Sequence, residues 1–148
     1  MRYAANGGGI ERGLKDASKQ KYRNYGVTGV ERLENNTFGQ AIPTQYDKAK
    51  KENPDIKTIV MTGGGNDLLM LAAGDAMKKI DEVGVRLDKL WKQMATDGVK
   101  DVLYIEYSEG GSNGPNVRYG IEKVKPVCES QTGLRCHFML SDPIIHMQ

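Results

Sequence analysis

Residues 58–69 read Thr-Ile-Val-Met-Thr-Gly-Gly-Gly-Asn-Asp-Leu-Leu, and this stretch decides the fold. Its first part belongs to a β-branched run over residues 57–62, which predicts a short buried strand. Three glycines end that strand. Residues 101–107 (Asp-Val-Leu-Tyr-Ile-Glu-Tyr) repeat the pattern before Gly110-Gly111. Continuous apolar strands closed by glycine are typical of a parallel sheet covered on both faces.

Further strands and helices alternate around these two segments. Residues 137–140 predict a third strand, and residues 22–25 a weaker fourth. Helical periodicities precede or separate the strands, over residues 10–17, 38–49, 83–94 and 117–128. We expect Pro43 in a first helical turn, Asp97-Gly98 as a helix stop, and Pro126 to bend or end its helix. The order predicts an α/β protein, a three-layer α/β/α sandwich with a mostly parallel, flavodoxin-like sheet.

Composition narrows the function classes. The chain has 148 residues, 39% of them hydrophobic and 27% charged, with a net charge of +2. This length fits a single domain over residues 1–148, and the hydrophobicity argues against wholesale disorder. The apolar runs are too short for a membrane span, and the near-neutral charge argues against nucleic-acid binding. The two His and two Cys fit no standard zinc-ligand spacing. We therefore expect a compact soluble domain with a neutral partner or substrate.

The cysteines leave two alternatives open. Cys128 and Cys136 bracket a short loop, and they are either a local disulfide or two free thiols. A disulfide closing so short a loop would contribute at most ~2–3 kcal/mol and would indicate an oxidising compartment. No signal peptide is visible, because Met1 leads into Asn6-Gly7-Gly8-Gly9 rather than an apolar segment. The protein is then either cytoplasmic or preceded by a further segment.

The glycine turn and Asn66 carry the chemistry. Glycine lets the backbone pass close to a ligand, and an Asn side-chain amide held there can donate to a negatively charged oxygen. Such a donor typically stabilises a transition state by ~3–4 kcal/mol. The structural alternative is that Asn66 or Asp67 caps the next helix. A phosphate-binding loop is disfavoured, because the sequence contains neither Gly-x-x-x-x-Gly-Lys-Ser/Thr nor the dinucleotide-binding motif Gly-x-Gly-x-x-Gly.

Two motifs resemble the SGNH (GDSL-type) hydrolase family of esterases and lipases. Gly64-Gly65-Asn66-Asp67 matches the family's third block, and residues 24–29 (Asn-Tyr-Gly-Val-Thr-Gly) are similar to its second. The resemblance covers residues 22–140. It implies a serine carboxylester hydrolase without metal or cofactor, with the backbone N–H of Gly29 and the side-chain amide of Asn66 as the oxyanion hole. Gly64 and Gly65 would then line the substrate.

The sequence departs from the family pattern in two places. No Gly-Asp-Ser precedes Gly29, and the only serine there is Ser18 in a Lys-rich stretch, so the nucleophile is unassigned. The family's Asp-x-x-His is replaced by Asp142 and His146 with three residues between them. These two are the candidate orienter and base. In the alternative interpretation, which we prefer, residues 142–143 only end the last strand. The chain would then be the middle part of a larger hydrolase domain that is truncated at both ends.

Two functional hypotheses follow from this resemblance. The first is a hydrolase of small or lipid esters. The second is a non-catalytic α/β ligand-binding module, or an inactive fragment of such a hydrolase. Neither implies stable membrane insertion. Ser108 and Ser112 are poor nucleophile candidates, and we expect a structural role for His137. The family resemblance and the cysteine pair favour a secreted or periplasmic protein.

Overall fold

The computed structural model describes Arg23, Tyr25, Leu33, 41–64, Asp67, 76–106 and 114–140. Within these residues helices and strands alternate, which confirms the predicted α/β class. The elements are α1 (Ile42–Glu52), β1 (Thr58–Met61), α2 (Ala76–Thr96), β2 (Asp101–Glu106), α3 (Gly114–Glu129) and β3 (Arg135–Leu140). Among the helices that can be described, none combines the length and apolar character that crossing a membrane requires.

The three strands form one parallel sheet in the order β1-β2-β3. Residues Ile59 and Val102 pair across the first interface, and Val102 and Cys136 pair across the second. Each predicted strand over these segments is confirmed, with β3 beginning two residues earlier than expected. Arg23 and Tyr25, from the weaker fourth prediction, have no regular structure. The predicted helix over residues 10–17 lies outside the described residues.

All three helices pack on one face of the sheet. The core unites helix residues such as Tyr46, Leu87 and Val124 with alternate strand residues such as Met61 and Tyr104. The opposite strand faces carry Leu103, His137 and Met139, none of which belongs to this core. The described residues therefore form one helical layer against one sheet, and this part of the chain gives two of the three predicted layers.

Two helix ends bear on the sequence predictions. Gly98, with φ +86°, follows α2, and the N–H groups of Gly98 and Val99 donate to the carbonyls of Ala95 and Met94. This is the Schellman arrangement, so the predicted stop at Asp97-Gly98 is confirmed. Pro43 lies in the first turn of α1, also as predicted.

Pro126 does not end α3, so that part of the prediction is wrong. The helix runs three residues further, to Glu129, although proline lacks the N–H that would bond one turn back. The final turn has other support, because the N–H of Ser130 donates to the carbonyl of Pro126 at 3.0 Å. Cys128 in the same turn is also bonded covalently to β3. The tertiary contacts thus outweigh the local proline signal.

The disulfide joins Cys128 to Cys136 with a Cα–Cα distance of 5.2 Å. Of the two alternatives for the cysteines, the structure selects the disulfide. It connects the last turn of α3 to the second residue of β3, and Cys128 is fully buried in the core. The bond therefore fastens the third strand to the helical layer.

Candidate functional site

The candidate site is the glycine turn at the carboxyl end of β1. Gly64 has φ +97°, a backbone conformation that residues with a Cβ rarely adopt. A Cβ on Gly64 would lie 2.7 Å from Cγ1 of Val83, and one on Gly63 would collide with Cδ1 of Ile42. The backbone conformation and the close approach of α2 therefore require glycine at position 64, whereas a Cβ on Gly63 would require the end of the Ile42 side chain to move.

A tyrosine on the neighbouring strand fixes the end of β1. The hydroxyl of Tyr104, buried in the core, donates to the carbonyl of Gly63 at 2.6 Å. The Glu106 carboxylate lies 3.3 Å from the same hydroxyl. Sequence reasoning missed both residues, since a strand pattern gives no cross-strand register. Only the pairing of Met61 with Tyr104 brings the hydroxyl to the turn.

Asp67 ties the turn to two distant parts of the chain. Its N–H donates to the carbonyl of Gly64 at 3.2 Å. Its Oδ2 accepts the backbone N–H of Leu33 at 3.0 Å, and its Oδ1 lies 3.5 Å from Nη1 of Arg86. The side chain is fully buried. A carboxylate predicted only as a local helix cap thus makes a contact 34 residues away in sequence.

Of the predicted site residues, the structure describes Gly64, which lies in the glycine turn with positive φ; its contact with a substrate stays a prediction. The others lie outside the described residues, and their roles stay predictions: the oxyanion donors Gly29 and Asn66, the glycine Gly65, and the dyad Asp142 and His146. The same holds for the serines Ser18, Ser108 and Ser112. Gly64 and Asp67, the described residues on either side of Gly65 and Asn66 in the sequence, are joined by the hydrogen bond from the Asp67 N–H to the Gly64 carbonyl.

The turn lies where open parallel sheets bind ligands. In such sheets, ligands occupy the crevice beyond the carboxyl ends of the strands. Gly64 follows β1 at that edge, and Glu106 ends β2 beside it. The turn therefore lies at the edge of the sheet where a ligand would be expected.

A second polar cluster lies near the opposite, amino ends of the strands. Nε and Nη2 of Arg135 donate to the two carboxylate oxygens of Asp101 at 2.6 and 2.8 Å. Nε2 of His137 lies 3.4 Å from the same carboxylate. Hydrogen bonding to Arg135 lowers the pKa of Asp101 below its usual range. The geometry places His137 in a surface ion-pair cluster, away from the glycine turn.

The sequence predicts no zinc site, because the two His and two Cys residues do not have a standard ligand spacing. Among the residues that the structure describes, no three His, Cys, Asp or Glu side chains are grouped so as to hold an ion.

Comparisons with known proteins give no relative: no protein-family model, curated protein or solved structure matches this chain. Any functional proposal therefore depends on the motifs and on the geometry of the glycine turn.

Proposed function

We propose that this chain is a carboxylester hydrolase of the SGNH type, acting on small or lipid esters through a serine acyl-enzyme. The observation that supports it best is the bond between Leu33 N–H and the Asp67 carboxylate. Leu33 lies four residues after Gly29, a length of at most about 14 Å even when extended. Asp67 directly follows Asn66. The bond supports the proposal because it joins a residue close in sequence to Gly29 with the residue next to Asn66.

The arrangement of the described strands is also compatible with the sheet that the proposal implies. In a flavodoxin-like sheet, with strand order 2-1-3-4-5, the last three strands are neighbours in chain order. The three described strands have that arrangement, and their helices lie on one face. The remaining chain would add strands beyond β1 and a helical layer on the other face, where His137 and Met139 are exposed. The result is a three-layer α/β/α sandwich.

In the proposed reaction, a serine hydroxyl attacks the ester carbonyl while a histidine, oriented by an aspartate, accepts its proton; His146 and Asp142 are the candidates for these roles in this chain. The carbonyl oxygen becomes negatively charged and receives hydrogen bonds from Gly29 N–H and the Asn66 amide. Collapse of this intermediate breaks the bond to the alcohol, which takes the proton from the histidine. Water then attacks the acyl-enzyme by the same route, releasing the acid.

The experiment combines covalent labelling with turnover. A serine-directed fluorophosphonate should label the chain, and mass spectrometry should identify the nucleophile. A series of p-nitrophenyl esters from acetate to decanoate measures turnover and distinguishes small from lipid acyl groups. Asn66→Ala should lower kcat by about 10²–10³-fold, the usual effect of losing one oxyanion donor. His146→Ala should abolish both labelling and turnover.

Gln93→Ala is the matched control. Gln93 is an exposed residue near the end of α2, and its side-chain amide donates to the carboxylate of Asp47 at 3.0 Å. The same loss of an amide there should leave kcat within about twofold, because Gln93 lies just before β2 begins, at the edge of the sheet away from the turn. A folded wild-type chain that neither labels nor turns over ester would contradict the proposal and favour a non-catalytic binding module. Labelling that survives His146→Ala would refute only the base assignment.

A further inference from the structure

We propose that Arg86 is a positioning residue, which acts through Asp67 to hold Asn66 in place; this rests on the proposed function. The Asp67 carboxylate is fully buried, and a buried charge needs a partner to be tolerated. Arg86 provides a cation, with Nη1 at 3.5 Å from Oδ1. Since Asp67 is covalently next to Asn66, whatever fixes this carboxylate also restricts the backbone that presents the Asn66 amide.

Helix α2 is a suitable support for this contact. Arg86 lies near the middle of the 21-residue helix, between the buried core residues Val83 and Leu87. Val83 also packs against Gly64 at the start of the same turn. One helix thus contacts the turn at both described ends, through two residues three positions apart. Sites held by packed helices are more precisely positioned than sites held by loops alone.

The Asp67 carboxylate serves both sides of the proposed oxyanion hole. One oxygen faces Arg86, while the other accepts the Leu33 N–H from the segment that follows Gly29. Removing the guanidinium would leave a buried carboxylate without this neighbouring charge, and the carboxylate would gain by moving toward water. Such a movement would loosen the Leu33 contact and the Asn66 backbone together. We therefore expect loss of Arg86 to disturb the positions of both proposed oxyanion donors, Gly29 and Asn66.

Arg86 also has an exposed side. Its side chain is 30% exposed, and its Nη2 lies 3.6 Å from Oε2 of Glu82. Together with Lys78, Asp81, Glu82 and Val85 it lines an open groove of about 330 Å³ on the outer surface of α2. The residue therefore connects the buried carboxylate to the surface, and it can be replaced without opening the apolar core.

The test uses NMR and kinetics on the full chain. In Arg86→Gln, the Asp67 carboxylate should move away from the Leu33 N–H, and the strong hydrogen bond to this charged acceptor should weaken. The Leu33 amide should then exchange with solvent about tenfold faster or more. The Asn66 side-chain amide signals, assigned by their loss in Asn66→Ala, should shift or broaden. Turnover should show kcat reduced about tenfold with KM within about twofold, and Arg86→Lys should recover part of both effects.

Lys89→Gln is the matched control, since Lys89 is an exposed cation one turn further along α2. It should leave exchange, Asn66 signals and kcat as in the wild type. In an Asp67→Asn background, adding Arg86→Gln should have no further effect on the Asn66 signals. A persisting effect would show a route other than Asp67 and would overturn the proposal.

The readouts separate this inference from the proposed function. Absence of ester turnover in the wild type defeats the hydrolase proposal but leaves the NMR comparison intact. Unchanged Leu33 exchange and Asn66 signals in folded Arg86→Gln defeat the positioning role, whatever the activity. Should Arg86→Gln not fold, Asp67→Asn carries the test, and wild-type Leu33 exchange and Asn66 signals in that folded variant would overturn the proposal.

Discussion

At the scale of single residues, the glycine turn was the most predictable part of the site. A strand ending in three glycines predicted positive φ, which Gly64 adopts; the predicted approach of a ligand stays a prediction, and the position of a Cβ on Gly64 is occupied by Val83. The role of Asp67 was not predictable from the sequence, because its partner at Leu33 is 34 residues away. Local patterns identify which residues can hydrogen-bond, whereas the choice between a nearby and a distant partner depends on the tertiary fold.

Gly64 and Gly84 give a matched pair of substitutions. Gly64→Ala should lower the free energy of unfolding by about 1–3 kcal/mol, because alanine at positive φ is strained and its Cβ would press on Val83. Gly84→Ala should raise it by about 0.5–1 kcal/mol, since a Cβ there meets nothing within 4 Å and lies inside helix α2. Urea unfolding measures both. Equal effects of the two substitutions would contradict the assigned conformation of Gly64.

At the scale of elements, the three described strands were predicted to within two residues at each end, the weaker fourth was not found at Arg23 and Tyr25, and helix ends were predicted only where the signal was strong. Gly98 ended α2 as expected because positive φ suits glycine. Pro126 was a misleading signal, since α3 continues past it to a turn that is bonded to β3. The sequence alone did not show whether the two cysteines form a disulfide, because a separation of eight residues fits a disulfide and two free thiols equally well.

The disulfide should contribute about 2–3 kcal/mol to stability, the amount expected from closing a short loop in the unfolded chain. Reduction with dithiothreitol should therefore lower the urea midpoint of the wild type. In Cys128→Ala/Cys136→Ala the same treatment should change nothing. An effect of dithiothreitol on the double variant would assign the loss to something other than this bond.

Tyr46 should make the protein less stable in alkali. Burial raises the pKa of Tyr46 above its ordinary value, and its hydrogen bond to Asp97 and the charges of Asp97 and Asp47 add to the increase. Only the unfolded chain then loses this proton above about pH 10, so stability present below that pH is lost as pH rises. The Tyr46 contribution should fall by about 1.4 kcal/mol per pH unit.

The measurement for Tyr46 compares the unfolding free energies of the wild type and Tyr46→Phe between pH 9 and pH 11.5. Their difference should be constant to about pH 10 and should then shrink. Val83→Ala is the control, because it alters the same core without removing an ionisable group. Its difference from the wild type should not vary with pH. A constant difference for Tyr46→Phe as well would show that the phenol ionises equally in both states.

At the scale of the whole molecule, alternation of patterns predicted the α/β class and the parallel pairing, and both are confirmed. The arrangement of the layers was harder to predict, because the sequence of a strand such as β3 does not show which of its faces a helix covers. The described residues put three helices on one face. Trp91 lies at the centre of that layer, fully buried, with its ring edge-on to Tyr104 at a centroid distance of 5.5 Å.

Trp91 is the chain's single tryptophan, so its fluorescence should report the unfolding of this shared core. We expect transitions followed by fluorescence and by far-ultraviolet circular dichroism to coincide in urea. Leu87→Ala, which empties part of the core, should lower stability by about 2–5 kcal/mol in both signals. Val85→Ala, at a 70% exposed position on the same helix, should change it by less than about 0.5 kcal/mol. Separate transitions would indicate that the helical layer does not unfold as a unit.

The covalent link between α3 and β3 has a practical consequence for proteolysis. Thr132 and Gly133, in the turn that it encloses, are exposed and accessible to a protease. A cut there would divide the backbone, yet the bond from Cys128 to Cys136 would keep both pieces together. Such nicked material would migrate as one band on a gel without reductant and as two bands with it. Purity judged under non-reducing conditions alone would therefore conceal the cleavage.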